Sequence, residues 1–388
     1  MKKSLLFFLA VFALIQISAR AAEPVRIGLT LGLTGKYTEM SAMQMKGYRL
    51  WKKQVNDRGG IAGRPVELII RDDGSDGPAA AGLYEEMMGS RKVDLVFGPY
   101  ASAITAAILP AAERHGYPVL VGGAFSDQPW SQGRRNVFGV YTPASRYTVG
   151  FLEMLVASGV DRLAILATDD VFSQSAADGA AKWAGRYGLE VVYRETFPKD
   201  KQELDDEIGR ARESGASLLI MCGHLQEAVS GREALSRAGW QPAAYYATVG
   251  PVLQEYADRL GPLAEGTFSS SQWEPDPDLD FPGSRQFLEE FTATYSTAPS
   301  YHAATAFATG TILEQAVHRA GGIDREKLTE ALFTLDTMSI IGRYGVDRTG
   351  MQIRQFPVIT QWQEGRKEIT WPEEIKTADP VFGRTDHD

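Results

Sequence analysis

The chain of 388 residues has one cysteine, Cys222, and five histidines with no ligand-like spacing. No intramolecular disulfide can form, and a zinc site, which needs clustered Cys, His or acidic ligands, is not expected. Positive charge is scarce. Forty Lys and Arg face 49 Asp and Glu, giving a formal charge of −9 with no Lys/Arg-rich block, so a nucleic-acid partner is disfavoured: phosphate-backbone binding relies on cationic side chains displacing counterions. After the N-terminus there is no apolar run long enough to span a bilayer. The signatures of common catalytic sites are missing too. There is no G-x-S-x-G, P-loop, H-E-x-x-H or C-x-x-C, and Gly28, Gly32 and Gly35 do not make G-x-G-x-x-G. The stretch DDGSDG at 72–77 opens like an EF-hand, but Gly74 holds the third position and Leu83 the twelfth, so it reads as a strand-to-helix turn. No enzyme, metal or cofactor is expected.

What is present begins with a leader. Lys2 and Lys3, an apolar run from Leu5 to Ile15, and then Ala19, Arg20 and Ala21 follow the order of a secretory signal peptide cleaved near Ala21. Export to the periplasm is expected, and loss of Lys2, Lys3 and Arg20 would take the charge from −9 to −12. No cysteine stands at the cleavage site, so a free rather than lipid-anchored protein is expected, with Cys222 a buried hydrophobe in SLLIMCG.

Beyond the leader, short apolar runs alternate with amphipathic stretches. VRIGLTLGL (25–33), VELIIRD, VDLVFG and PVLVG read as buried parallel strands, with helices at about 41–56, 77–91 and 102–115. The pattern restarts after Thr142 and Pro143 with RLAILAT, LEVVYRE, ASLLIMC, AAYYAT and GTFSSS, separated by helices at about 144–158, 173–187, 201–213, 225–238 and 251–260. The acidic, proline-rich 274–283 reads as a connecting loop, and helices at about 284–296, 300–320 and 325–335 follow. The segments IIGRYGVDRTG and FPVITQWQEG read as a β-hairpin and an edge strand. The class is α/β, with two doubly wound parallel sheets.

The segment NDRGGIAGRPVELIIRDDGSD (56–76) resembles the N-A-x-G-G-I-x-G-x-x-x-x-L-x-x-x-D-D signature of type I periplasmic solute-binding proteins of the leucine/isoleucine/valine-binding family. LTGKYTEM (33–40), FGPYAS (97–102), PVLVGGAFSD (118–127), DDVFSQS (169–175), GHLQE (223–227) and IIGRYGVDRTG (340–350) extend the likeness over the whole mature chain. The resemblance implies two lobes joined by three crossovers, 24–142 plus 273–339 and 143–272 plus 340–388, closing on a ligand held between them. It also implies an ABC permease in the membrane as partner, a monomeric receptor, and an amino acid or related small carboxylate, apolar or aromatic, as ligand. A receptor signalling to a membrane partner is the alternative.

Ligands of open α/β sheets sit off the carboxyl ends of the strands. Tyr100, Ala101 and Ser102 follow VDLVFG at a helix start, where a hydroxyl and free N–H groups suit a carboxylate. The family's carboxylate-binding serine falls on Ser102, and Gly123, Ala124, Phe125 and Ser126 match its second carboxylate-binding turn. Met40 is placed to face the cleft, Phe172 falls where the family has an aromatic over the ligand, and His224 falls near another cleft residue. One departure stands out. Amino-acid-binding members carry an acid for the ligand ammonium after the fourth strand of the second lobe, where this chain has Ala247, Thr248, Val249 and Gly250. Asp169 or Asp170 is a substitute; the simpler expectation is a carboxylate with an apolar or aromatic body and no amine, because burying an unpaired ammonium is costly.

Overall fold

The computed structural model describes residues 22–199, 201–275 and 281–383. The leader expected over 1–21 and residues 276–280 of the acidic run lie outside them. Five strands, Val25–Leu31 (β1), Val66–Asp72 (β2), Leu95–Phe97 (β3), Val119–Val121 (β4) and Val137–Gly139 (β5), form a parallel sheet in the order β2-β1-β3-β4-β5. Five more, Arg162–Thr168 (β6), Glu190–Phe197 (β7), Leu218–Cys222 (β8), Ala244–Ala247 (β9) and Thr267–Ser271 (β10), repeat that order. Thr337–Ser339 (β11) and Gly342–Tyr344 (β12) make a separate ribbon, while Val358–Gln363 (β13) and Arg366–Trp371 (β14) extend the second sheet antiparallel beyond β10.

The central strands form because their side chains have nowhere polar to go: β8 is buried at every position and β6 at all but Arg162. Cys222 ends β8 as a buried free thiol, and burial pushes its pKa up. Both sheets reverse strand order beside their first strand, at β1/β3 and at β6/β8. Crevices for ligands open at such points.

The late helix Tyr301–Ala320 lies on Thr38–Asp57, against the first sheet. Two glycines allow it. A Cβ on Gly47 would sit 2.1 Å from the Ala303 carbonyl oxygen, and one on Gly310 would sit 2.1 Å from Trp51 Cδ2. Trp51 Nε1 then donates to Glu314 at 2.7 Å.

Where the chain passes between the sheets, three buried residues are stitched together. The Thr142 amide donates to Gln272 Oε1 at 3.2 Å, its hydroxyl donates to the Gln355 carbonyl at 3.0 Å, and Gln355 Nε2 donates to the Gln272 carbonyl at 2.8 Å.

Several expected elements are corrected. The first strand stops at Leu31, and its helix starts at Thr38 rather than 41, capping three residues earlier. The helix expected from 144 is a single 3₁₀ turn, Ala144–Arg146, before Val149–Ser158, and that from 251 is a 3₁₀ turn before Gln254–Leu260. IIGRYG contributes to the β11/β12 ribbon, and FPVITQWQEG supplies an interior strand because β14 covers its outer edge. No helix among the described residues is long and apolar enough to cross a membrane.

Candidate functional site

The two points of strand-order reversal face each other across a cavity of about 480 Å³. Tyr37 and Met40 enter it from the segment after β1, and Ala101 and Ser102 from the start of the Ser102–Arg114 helix after β3. Asp170 and Phe172 after β6, and His224 and Glu227 after β8, form the facing wall. Glu39, Glu255 and Arg259 stand at the rim, with Lys36 and Lys199. A larger hollow of about 630 Å³ lies at the opposite end of the second sheet, against residues 381–383. Arg232 there is engaged with the Leu263 carbonyl and Gln361 with that of Val381.

Ser102 ties two loops together. Its Oγ accepts from the backbone N–H of Phe125 at 3.1 Å and of Ser126 at 3.0 Å, while the Ala101 amide donates to the Gly123 carbonyl at 3.0 Å. A serine hydroxyl has two lone pairs and one proton. With both lone pairs taken, the O–H is left as a donor beside a helix N-terminus, where a negatively charged acceptor is favoured. Ala101 holds φ +81°, a region costly for a residue with a Cβ.

Asp170 caps the Val171–Tyr187 helix, accepting from the amides of Phe172 (2.9 Å) and Ser173 (3.1 Å) and from the hydroxyls of Thr168 (2.6 Å) and Ser173 (2.7 Å). His224 Nε2 lies 3.9 Å from its Oδ1. Burial alone would raise the Asp170 pKa, but His224 and the hydroxyls outweigh it and hold the carboxyl well below its usual range. Burial likewise works against charge on His224, yet Asp170, with Glu227 behind it, leaves the imidazole raised. Glu227 Oε2 accepts the His224 amide at 2.9 Å. In the loop after β9, the Thr248 hydroxyl donates to the Gly223 carbonyl at 2.6 Å and accepts the Gly223 amide at 3.0 Å. A tie between loops, and no acid, stands at the start of the loop after β9.

Among the sequence candidates, Met40, Ala101, Ser102, Phe172 and His224 line the cavity. Tyr100, Gly123, Ala124 and Ser126 are buried behind it. Tyr100 bonds His302 at 3.3 Å, and the Ser126 hydroxyl reaches Ser175 at 3.0 Å, joining segments that follow β4 and β6. Asp170 lines the cavity, whereas Asp169 instead accepts the Lys199 amide at 3.1 Å. Sequence reasoning missed Tyr37, Glu227 and the rim pair Glu39 and Glu255. With the helix starting at Thr38, Tyr37 is the residue presented at its entrance, a placement that a start at 41 concealed.

Residues 24–367 match the sequence profile of a family described as periplasmic binding protein. The chain belongs to that family. Like this periplasmic binding protein, a Leu/Ile/Val-binding protein homolog 8 of Brucella abortus aligns over nearly its full length, 25% identical over 380 residues covering 93% of this chain and 94% of the relative. A leucine binding protein from Thermotoga maritima shares the fold with a TM-score of 0.80 at 21% identity, covering 89% and 97% of the two chains. A solute binding protein from R. palustris in complex with benzoate superposes with a TM-score of 0.79 at 19% identity, covering 93% and 99%. These neighbours give the same pair of doubly wound sheets as the strand orders found in this periplasmic binding protein.

Proposed function

We propose that this periplasmic binding protein is an exported, non-enzymatic receptor that captures an amino acid or related small carboxylate, with an apolar or aromatic body, for an ABC permease. Two lobes, 24–142 plus 273–339 and 143–272 plus 340–388, close on the ligand as a monomer, and contacts from both stabilise the closed state that the permease reads. The leader over 1–21 directs export. Met40, Ala101, Ser102, Phe172 and His224 contact the ligand, and Tyr100, Gly123, Ala124 and Ser126 shape the loops that present them. Relatives named for leucine, isoleucine and valine binding and a structural neighbour holding benzoate support a carboxylate ligand.

The observation that carries the reading is the Ser102 hydroxyl, whose two accepted amides leave only its proton to offer into the cavity at a helix start. Native mass spectrometry of protein from its own host, followed by calorimetry with the retained solute, tests it. A carboxylate whose binding weakens about tenfold or more in Ser102→Ala is expected, the size of a charge-assisted hydrogen bond. A retained metal ion or nucleotide would overturn the reading.

A further inference from the structure

Seven aromatic rings form a closed circuit at the inner wall of the cavity. From Phe125 the centroid spacings run 5.9 Å to Phe172, 5.1 Å to His224, 5.7 Å to Tyr37, 5.4 Å to Tyr100, 5.5 Å to His302, 4.0 Å to Tyr301 and 6.3 Å back to Phe125. Only the Tyr301 and His302 rings are stacked; the other six contacts are tilted or edge-on, with interplanar angles from 40° to 81°. Six separate chain segments supply the rings. Phe172 and His224 come from the second sheet and the rest from segments packed on the first, so the circuit exists only while the ends of the two sheets face each other.

A core built for stability alone satisfies its polar atoms. This one does not. The Tyr301 hydroxyl, His302 Nδ1 and His224 Nδ1 are buried without a hydrogen-bond partner. Burial, with the His224 charge beside it, pushes the His302 pKa down to about 3, so its ring stays neutral. The cavity touches the circuit at Tyr37, Phe172 and His224, and Ser102 stands two residues beyond Tyr100 on the same wall. Aromatic faces and edges therefore border the space next to a carboxylate donor. Of the buried carboxylates of that space, Asp170 is occupied by two amides, two hydroxyls and His224, while Glu227 accepts the His224 amide on one oxygen.

Resting on the carboxylate-receptor reading above, we infer that the ligand is an aromatic carboxylate without an amine, its planar ring against Tyr37, Phe172 and His224 and its carboxylate on the Ser102 hydroxyl. Ring-on-ring contacts add to area burial and depend on the π-system, so a saturated ring of the same size loses them. An ammonium finds no acid in the loop after β9, where Thr248 is tied to Gly223, and finds Asp170 already bonded on both oxygens.

Calorimetry on the unaltered protein with matched pairs tests the assignment: benzoate against cyclohexanecarboxylate, phenylacetate against cyclohexylacetate, and 3-phenylpropanoate against both its cyclohexyl counterpart and phenylalanine. At least one aromatic acid is expected to bind about tenfold or more tighter than its saturated partner, a few ring contacts' worth. Phenylalanine is expected to bind more weakly than 3-phenylpropanoate. Phe172→Leu should bring the aromatic and saturated acids to within about threefold of each other. Equal binding within every pair, or leucine binding tighter than all the aromatic acids, overturns the aromatic assignment and leaves the carboxylate receptor standing. Binding of no carboxylate or amino acid at all overturns both.

Discussion

Ser102 Oγ lies 3.0 Å from the backbone nitrogen of Ser126, a residue 24 positions later and on the far side of a strand. The same oxygen accepts the Phe125 amide, so one hydroxyl holds the loop after β4 against the helix start after β3. Ser102→Ala leaves two buried N–H groups without their acceptor, at about 1–3 kcal/mol each before relaxation. Denaturant unfolding should show a loss of about 2 kcal/mol or more, accompanied by weaker carboxylate binding. A variant that binds poorly at unchanged stability would instead mean that the loops do not need this tie.

Asp170 and His224 make a pH-dependent contribution whose sign follows from their shifts. The His224 pKa is raised in the fold, so its contribution is complete below the ordinary imidazole range and fades as pH rises through the raised value. Asp170 is lowered, so its share is present above the ordinary carboxylate range and is lost on acidification. The pair works best from about pH 4 to somewhat above 6.5. Asp170→Asn should therefore destabilise the protein more at pH 6 than at pH 9. In the same variant the His224 Cε1 proton, followed by NMR, should titrate at a lower pH than in the parent.

The central strands were legible because parallel strands buried on both faces are near-continuously apolar, as LAILA and LLIMC are. Three-residue β5 was not: Val137–Gly139 is too short to show a period, and the polar residues before it mask it. β14 reads RKEITW, charged through its first half, and only its pairing with β13 makes it a strand. In the site, Ser102, Phe172 and His224 could be found because each follows a recognisable strand. Tyr301 and His302 could not. They reach the ring circuit from a helix about two hundred residues from Tyr100, placed there by the close approach of Gly47 and Gly310 to their partner helices.

Gln355 is the residue through which the last passage between the sheets holds the second. Its Nε2 donates to the Gln272 carbonyl at 2.8 Å and to the Ile341 carbonyl at 2.9 Å, both buried. Gln355→Leu keeps much of the volume and removes both donors. A loss of about 1–3 kcal/mol is expected in chemical denaturation. Faster amide hydrogen exchange should be confined to the segments around 142, 272 and 341. Exchange that speeds up evenly over both sheets would show a general loss of packing, not a loosened passage.

Glu39 and Glu255 face each other across the mouth of the cavity, one from the Thr38–Asp57 helix and one from Gln254–Leu260. Two carboxyls bond only if one keeps its proton. The hydrogen bond to Glu255, then burial and the Glu255 charge, push the Glu39 pKa up to about 7, although Arg259 pulls the other way. Glu39 is raised with the two carboxyls paired, so its support for this arrangement is complete below the ordinary carboxylate range and is lost as pH rises through about 7. The ligand-free protein should expand in solution scattering between pH 6 and pH 8.5, and ligand affinity should weaken over the same interval, by no more than about tenfold per pH unit for one proton. His224 and Asp170 also face this cavity, with Lys36, Lys199, Arg259 and Glu227, and loss of the His224 charge would weaken an anion as well. Glu39→Gln separates the two, because its amide still donates to Glu255 at every pH. It should flatten the scattering change while leaving any His224-dependent slope in affinity, and a scattering change that survives Glu39→Gln would remove the carboxyl pair as its cause.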